Sequence, residues 1–295
     1  MDRIAALDAF ARVARLGSFT AAARELRIST TAVSRRVADL EEHLDVKVLE
    51  RNTRRLSLTE LGGSVLERCE RILEDLTELE GLARLGEGRV QGTLRVTAGV
   101  DFGRDHLATV IAAFQQANPE VRIDLQLTDH FVDLVGEGFD VAVRLGPLRD
   151  SALLARRLSA TRLVAVASPA YLAAAGAPDR PEDLRGHACI LDTNGSPRWA
   201  FEGPGGRKLF TPEPRFAVNS PSVTRDRLLA GEGISVAPRF AVAADLRAGR
   251  LVGVLPEYTM DEIPLHAVFP PGRRLSTRVR AFVDHLVDRF ASWDA

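Results

Sequence analysis

Apolar residues at Ile4, Leu7, Phe10, Ala11 and Ala14 recur at the spacing of one helix face. Gly17-Ser18 ends that helix and offers Ser18 as the cap of the next. The second helix carries Ala21, Ala22, Ala23 and Leu26, small enough for a following helix to cross closely. Ile28-Ser29 turns the chain, Ser29 or Thr30 can cap, and a third helix runs to about His43 with Val33, Val37, Leu40 and Leu44 inward. Two short β-capable stretches, Lys47–Leu49 and Leu56–Leu58, come next. From Glu60 to about Gly86 the pattern changes. Gly62, Val65, Cys69, Ile72, Leu76, Leu79 and Ala83 alternate spacings of three and four, the seam of a two-helix coiled coil. Such a helix is about 40 Å long, and Leu66, Leu73 and Leu82 widen its stripe. It needs a cover: a second copy of itself is the favoured reading, and packing on its own chain is the alternative. GEGRVQG then breaks it and forms a linker.

Beyond the linker, strands and helices alternate. GTLRVTAG reads as a strand, and Asp105 to Gln116 as a helix with Leu107, Val110, Ile111 and Phe114 on one side. Val121 to Leu127 alternates like a half-buried strand, a short helix holds Val132 and Val135, and FDVAVRLG is another strand. Arg162–Ala167, Gly233–Ala237 and Pro264–Phe269 read as further strands; SPAYLAAAG and Arg278–Phe290 read as helices, with a Gly- and Pro-rich stretch between. This order implies a mainly parallel sheet with ligands at the carboxyl ends of its strands.

Composition narrows the function. The 295 residues are 45% hydrophobic and 27% charged, which fits two or three globular units rather than a disordered chain. Two cysteines, Cys69 and Cys189, are too few for a disulfide framework, and the histidines show no metal-ligand spacing, so no metal or cofactor is expected. The amphipathic, charged opening is not an export signal, and no apolar run is long enough to span a bilayer, so the expected location is the cytoplasm with no membrane partner.

A net charge of −1 hides a local excess. Residues 1–59 hold eleven Arg or Lys against eight Asp or Glu, and Arg24–Arg36 holds four against one. Three short helices with a tight turn before the third make a helix-turn-helix whose third helix enters the major groove. Its outward residues are Thr30, Thr31, Ser34 and Arg35; arginine can donate two bonds to guanine, and hydroxyls can meet bases or phosphates. Arg36, beside the buried face, suits a phosphate. Arg51, Asn52, Thr53, Arg54 and Arg55 lie between the two short β stretches, a wing whose arginines can reach phosphates or a narrow minor groove.

The run LDAFARVARLGSFTAAARELRISTTAVSRRVADLEEHLDVKVLERNTRRLSLTELG resembles the N-terminal signature of LysR-type transcriptional regulators over nearly the first sixty residues. FGRDHL, FDVAVRLG, SPAYL and AFVDHL are similar to a CrgA-like branch. The resemblance implies an α/β protein overall: an N-terminal all-α winged helix-turn-helix (1–59), a long linker helix and hinge (60–91), and a C-terminal two-lobed α/β effector domain (92–295) of the type 2 periplasmic-binding-protein kind. Lobe I would be 92–161 with 268–295, and lobe II 162–267. The implied partners are double-stranded operator DNA, a small-molecule effector and further copies of the chain, as dimer and then tetramer, with room for a contact to RNA polymerase. Where the family often has Gln near the start of the recognition helix this chain has Thr30, which cannot make a bidentate adenine contact. Asp45 stands where Gly commonly ends that helix; Asp tolerates the left-handed conformation better than most residues.

Carried onto this chain, the family's effector cleft falls at Gly99, Val100 and Asp101 after the first strand, Thr128 after the second, and Arg144 and Gly146 at the end of the third. Asn194, Ser196, Asn219 and Ser220 would face them from lobe II. Asp101 has a simpler role open to it, as the cap of its own helix. The dimer seam would be Val65, Cys69, Ile72, Leu76, Leu79 and Ala83. Rival functions account for less of the chain. No nucleophile elbow, P-loop or metal set supports an enzyme; the two cysteines sit too far apart in the plan for a redox pair. A solute-binding transporter leaves the basic head unexplained, and a nucleoid-type binder leaves the C-terminal lobes idle.

Overall fold

The computed structural model describes residues 2–52, 55–85, 90–148, 153–271, 276–291 and 293; side chains of 51–55, 74, 78 and 80–85 lie outside what it describes. The chain divides into two compact units, 1–89 and 90–295.

In the first unit, α1 (Arg3–Leu16), α2 (Phe19–Leu26) and α3 (Thr30–Leu44) follow one another through capped turns. Ser18 Oγ accepts from the Ala21 amide at 3.2 Å, and Ser29 Oγ from the Ala32 amide at 3.1 Å. Each satisfies one of the N–H groups that a helix start leaves without an intrahelical partner. Asp45 ends α3 at φ 53°, in the left-handed conformation. Ala22 and Ala23 are buried where α2 meets the core of Phe10, Val13, Val33, Val37 and Leu40. The hairpin β1 (Leu49–Asn52) and β2 (Arg55–Leu58) pairs Leu49 with Leu58 and Asn52 with Arg55. It starts two residues later than the pattern at Lys47 predicts, because Val48 is spent in the helical core.

Helix α4 (Glu60–Leu85) corrects the seam. Cys69 is only 2% exposed, packed with the three-helix core of its own chain, and Val65 and Leu66 lean on the same cluster. At Gly62 an added Cβ would lie 2.0 Å from the Val48 carbonyl oxygen, so the helix start is pressed onto the backbone beside the wing. Leu73, Leu76 and Thr77 border a hollow with Asp2, the cap of α1, and with Ile4, Ala5, Asp8 and Arg12 of that helix. The first half of the stripe therefore follows the alternative reading, in which the helix packs on its own chain. Ile72 and Leu79, at 49% and 62% exposure, remain uncovered; Ala83 falls outside the described side chains.

The second unit is built on one long sheet in the order β10-β7-β11-β6-β14-β5-β3-β4, with β12 added to β6. One half contains β3 (Gly92–Ala98), β4 (Val121–Leu127) and β5 (Val141–Leu145). The helix after β3 begins at α5 (Val100–Phe102), passes through a π segment (Gly103–Leu107) and ends as α6 (Ala108–Ala117). It starts five residues before the pattern at Asp105 predicts. The predicted helix around Val132 and Val135 is absent: Asp133 Oδ1 accepts from the Val135 and Gly136 amides and closes a turn there instead.

The strand expected at Arg162 is the far end of β6 (Leu154–Ala167). The other half of the sheet uses α7 (Pro169–Ala175), β7 (Cys189–Asp192), β10 (Pro214–Val218), α8 (Pro221–Leu229), β11 (Ile234–Pro238) and α9 (Arg239–Arg247). Inside the Gly/Pro-rich stretch, β8 (Trp199–Gly203) and β9 (Gly206–Phe210) pair; with β13 (Thr259–Met260) they make a small separate sheet. The two-residue β12 (Val252–Gly253) and β14 (Glu262–Phe269) then return the chain to the first half, where α10 (Thr277–Phe290) buries Phe282 and Leu286 completely against Leu94 and Phe114.

Asp245 on α9 has no exposure and is gripped by Arg225 of α8 and by Arg250, the latter at 2.6 Å. Burial pushes its carboxyl up, but the two guanidinium groups outweigh this and hold it below the usual carboxylate range. Its contribution is therefore present above the pKa of the unfolded chain and lost as pH falls through the folded value. Asp245→Asn should lower stability by about 1–3 kcal/mol at neutral pH. The gap to wild type should close in urea titrations carried below the ordinary carboxylate range; a gap independent of pH contradicts the ionic role.

Candidate nucleic-acid interface and effector cleft

Along α3, Thr30, Thr31 and Arg35 are exposed, while Ser34 and Arg36 are half-buried at the edge of the same face. The charge around this helix is less compensated than a count along the chain suggests. Glu25 is the one acid within Arg24–Arg36, and it is drawn away toward α1, pairing with Arg12 and with Arg15 at 2.8 Å. Among the described residues no ion pair holds Arg24, Arg27, Arg35 or Arg36. Four guanidinium groups thus stand on α2, the turn and α3 without a neutralising carboxylate, suited to a polyanion.

The wing is tied to this helix by a residue the sequence reading missed. Glu41 of α3 is 6% exposed; its Oε1 accepts from the Val48 amide at 3.0 Å and the Leu49 amide at 3.3 Å, and its Oε2 meets Lys47 Nζ at 2.8 Å. Burial pushes its carboxyl up, but Lys47 and the two amides prevail and keep it below the usual value. An acid on the inward face of an amphipathic helix is the signal that could have found it. Of the wing residues, Arg51, Asn52 and Arg55 have their backbone in the hairpin, while Thr53 and Arg54 lie outside the described residues.

In the second unit the strand ends bring most of the cleft residues together. Val100 N–H donates to Asp129 Oδ1 at 3.0 Å, which joins the start of α5 to the loop after β4. Arg144 donates to the Thr128 carbonyl and, at 3.2 Å, to Thr97 Oγ1, so three adjacent parallel strands share one guanidinium. Burial pulls that guanidinium below its usual value, and the charge of Asp129 opposes the shift. Gly146, at φ 115°, donates its N–H to the Pro264 carbonyl at 2.9 Å, where a side chain would be strained. On the other half, Asn194 Nδ2 donates to the Asn219 carbonyl at 2.9 Å, linking the loops after β7 and β10. Ser220 caps α8, accepting from Val223 at 3.4 Å. Ser196 is exposed, and its hydroxyl accepts from the Arg198 amide within its own turn.

The two halves also meet directly: Asp101, 6% exposed, accepts from the Ser222 amide at 2.9 Å. Sequence reasoning found neither Asp129 nor Ser222, nor Asp192, whose carboxyl burial pushes up, with the charges of Asp129 and Asp101 adding to the shift. Both cysteines are buried and their thiols are pushed up to about 11 by desolvation, so neither is a ready thiolate.

A three-helix head with a wing and an uncompensated basic face, followed by a long helix and a two-part α/β unit, defines a DNA-binding regulator carrying a ligand-binding domain. Comparison with known proteins gives the family. Residues 4–63 match the bacterial regulatory helix-turn-helix protein model of the lysR family, and residues 87–291 match the LysR substrate binding domain. An HTH-type transcriptional repressor of Pseudomonas aeruginosa is 36% identical over 295 residues, covering 99% of this chain and 93% of that protein. The transcriptional activator AaeR of Escherichia coli is 33% identical over 98% of this chain and 94% of its own. The structure of CrgA, a LysR-type transcriptional regulator from Neisseria meningitidis, superposes with a TM-score of 0.64 at 35% identity, covering 97% of this chain and 98% of that one. The chain belongs to the LysR family: it is a DNA-binding transcriptional regulator modulated by an effector, and not an enzyme.

Glu41→Ala leaves the Val48 and Leu49 amides without their acceptor and should destabilise the N-terminal unit by about 1–3 kcal/mol. Chemical unfolding followed on that unit checks this. DNA affinity should fall with it through loss of the wing's anchor, and unchanged stability would show that the carboxylate holds nothing.

Proposed function

We propose that the first fifty-nine residues form the reading head, 60–91 the linker and hinge, and 92–295 the effector domain. In the last, lobe I is 92–161 with 268–295, and lobe II is 162–267. Arg35, Thr30, Thr31 and Ser34 read base edges, Arg36 holds phosphate, and Arg51, Asn52, Thr53, Arg54 and Arg55 serve as the wing. The observation that carries this reading is the set of four arginines around α3 that no ion pair holds among the described residues.

Two copies pair through α4, where exposed Ile72 and Leu79 and half-buried Leu76 continue toward Ala83; Cys69, being buried in its own chain, has no part in it. Pairing places two recognition helices on half-sites whole turns of DNA apart. Sensor lobes of two dimers join into a tetramer that bends its operator in the cytoplasm, with RNA polymerase as a further partner. The effector lies between the lobes, among Gly99, Val100, Asp101, Thr128, Arg144 and Gly146 on one side and Asn194, Ser196, Asn219 and Ser220 on the other. The inter-lobe bond from Asp101 to Ser222 supports a cleft whose closure a ligand can bias, provided it binds one arrangement better than the other.

Footprinting on the gene's own upstream DNA, at several salt concentrations with competitor DNA, tests the reading. A two-fold symmetric footprint that survives competitor is expected, with Arg35→Ala costing about 1–3 kcal/mol on the specific site. An equal loss on all sequences would reduce Arg35 to a phosphate contact, and binding abolished by competitor at every salt would leave a non-specific binder.

A further inference from the structure

Helix α8 opens Pro221-Ser222-Val223. Pro221 has no N–H, so the first amide available at this helix start belongs to Ser222. Val223 donates to Ser220 Oγ and Thr224 to the Ser220 carbonyl at 3.0 Å. The Ser222 amide is met from the other half of the unit, by the carboxylate of Asp101, 121 positions earlier. That carboxylate does not cap its own helix, as the sequence reading allowed. Its Oδ2 crosses to α8, and its Oδ1 lies 2.9 Å from Arg104 Nη1. Arg104 in turn forks onto Asp105 at 2.6 and 2.7 Å, so the pair is steadied from behind. The facing helix start is filled in the same way, by Asp129 on the Val100 amide.

A helix start is the place where a ligand's carboxylate or phosphate is most readily held, because its N–H groups and its dipole favour negative charge. In this chain that place on α8 is taken by a charge belonging to the protein. We propose that Asp101 is a tethered anion that latches the two halves through α8, so that an anionic group entering the cleft competes with it for the Ser222 amide. A ligand carrying such a group releases the latch by exchange. One without it binds with the latch closed. The latch stands on the geometry of Asp101, Arg104 and Ser222; only its consequence for ligands rests on reading the cleft as the effector site.

The test is hydrogen–deuterium exchange on the full chain without DNA, followed on the peptide from Asn219 to Arg225, in wild type, Asp101→Ala and Asp101→Asn. Loss of a charge-assisted bond should speed exchange there by about tenfold in Asp101→Ala, while the β3 and α10 core is unchanged. Added sodium acetate should slow that exchange again in Asp101→Ala by filling the emptied place, and should leave wild type unaffected. Wild-type exchange in both variants overturns the proposal. So does faster exchange that acetate cannot slow, since Asp101 would then be only a packing residue. If Asp101→Ala fails to fold, Asp101→Asn decides: faster exchange over 219–225 supports the latch and wild-type exchange sinks it. None of these results depends on DNA, so the footprint can succeed or fail independently.

Discussion

The antiparallel pairing of β14 with β6 is the constraint on which the C-terminal unit depends. Leu154 to Arg162 lies against Phe269 to Glu262, and beyond Arg162 the same β6 leaves β14 and pairs with β11. The parallel strands on either side therefore belong to one continuous sheet while facing two different helical layers. Because β3, β4 and β5 approach this crossing from one side and β7, β10 and β11 from the other, their loops are brought toward a common space. Ligands of open parallel sheets sit at such strand ends. The register slips between Leu265 and His266, a bulge of the kind that bends a strand and increases its twist.

The N-terminal unit shows a second economy. The first half of α4 is part of the three-helix core, through Gly62, Val65 and Cys69, and the second half leaves Ile72 and Leu79 uncovered. A helix that is core at one end and apolar surface at the other connects α3 to whatever covers the free end. Helix α3 is fixed in the same frame by Glu41, whose carboxylate takes the amides of Val48 and Leu49 at the base of the wing. Orientation of the reading surface is thus set by buried polar bonds as well as by packing.

Much of this was legible in the residues. Caps at Ser18 and Ser29, small residues at Ala22 and Ala23, and apolar spacing through Val33, Val37 and Leu40 all act locally, and local patterns survive into the fold. The basic face was visible as an excess of arginine, but its sharpness was not, because Glu25 is removed from it by Arg12 and Arg15 on another helix. A heptad stripe cannot say which cover it has, so Cys69 read as seam although it is core. The Val132–Val135 helix failed because one Asp side chain competes successfully for the backbone. Contacts such as Asp101 with Ser222 join positions far apart in the chain, and no spacing rule reports them. The strands β8 and β9 were lost among glycines and prolines that carry no periodicity.

In the function proposed above, two copies of the chain read a two-fold symmetric DNA sequence through paired α3 helices. Repeated selection of bound fragments from a random-sequence DNA pool by the full chain, in the presence of competitor, tests it most directly. Enrichment of inverted half-sites whose centres are separated by a whole number of helical turns is expected. A selected pool without symmetry, or one no different in sequence from the starting DNA, would contradict it.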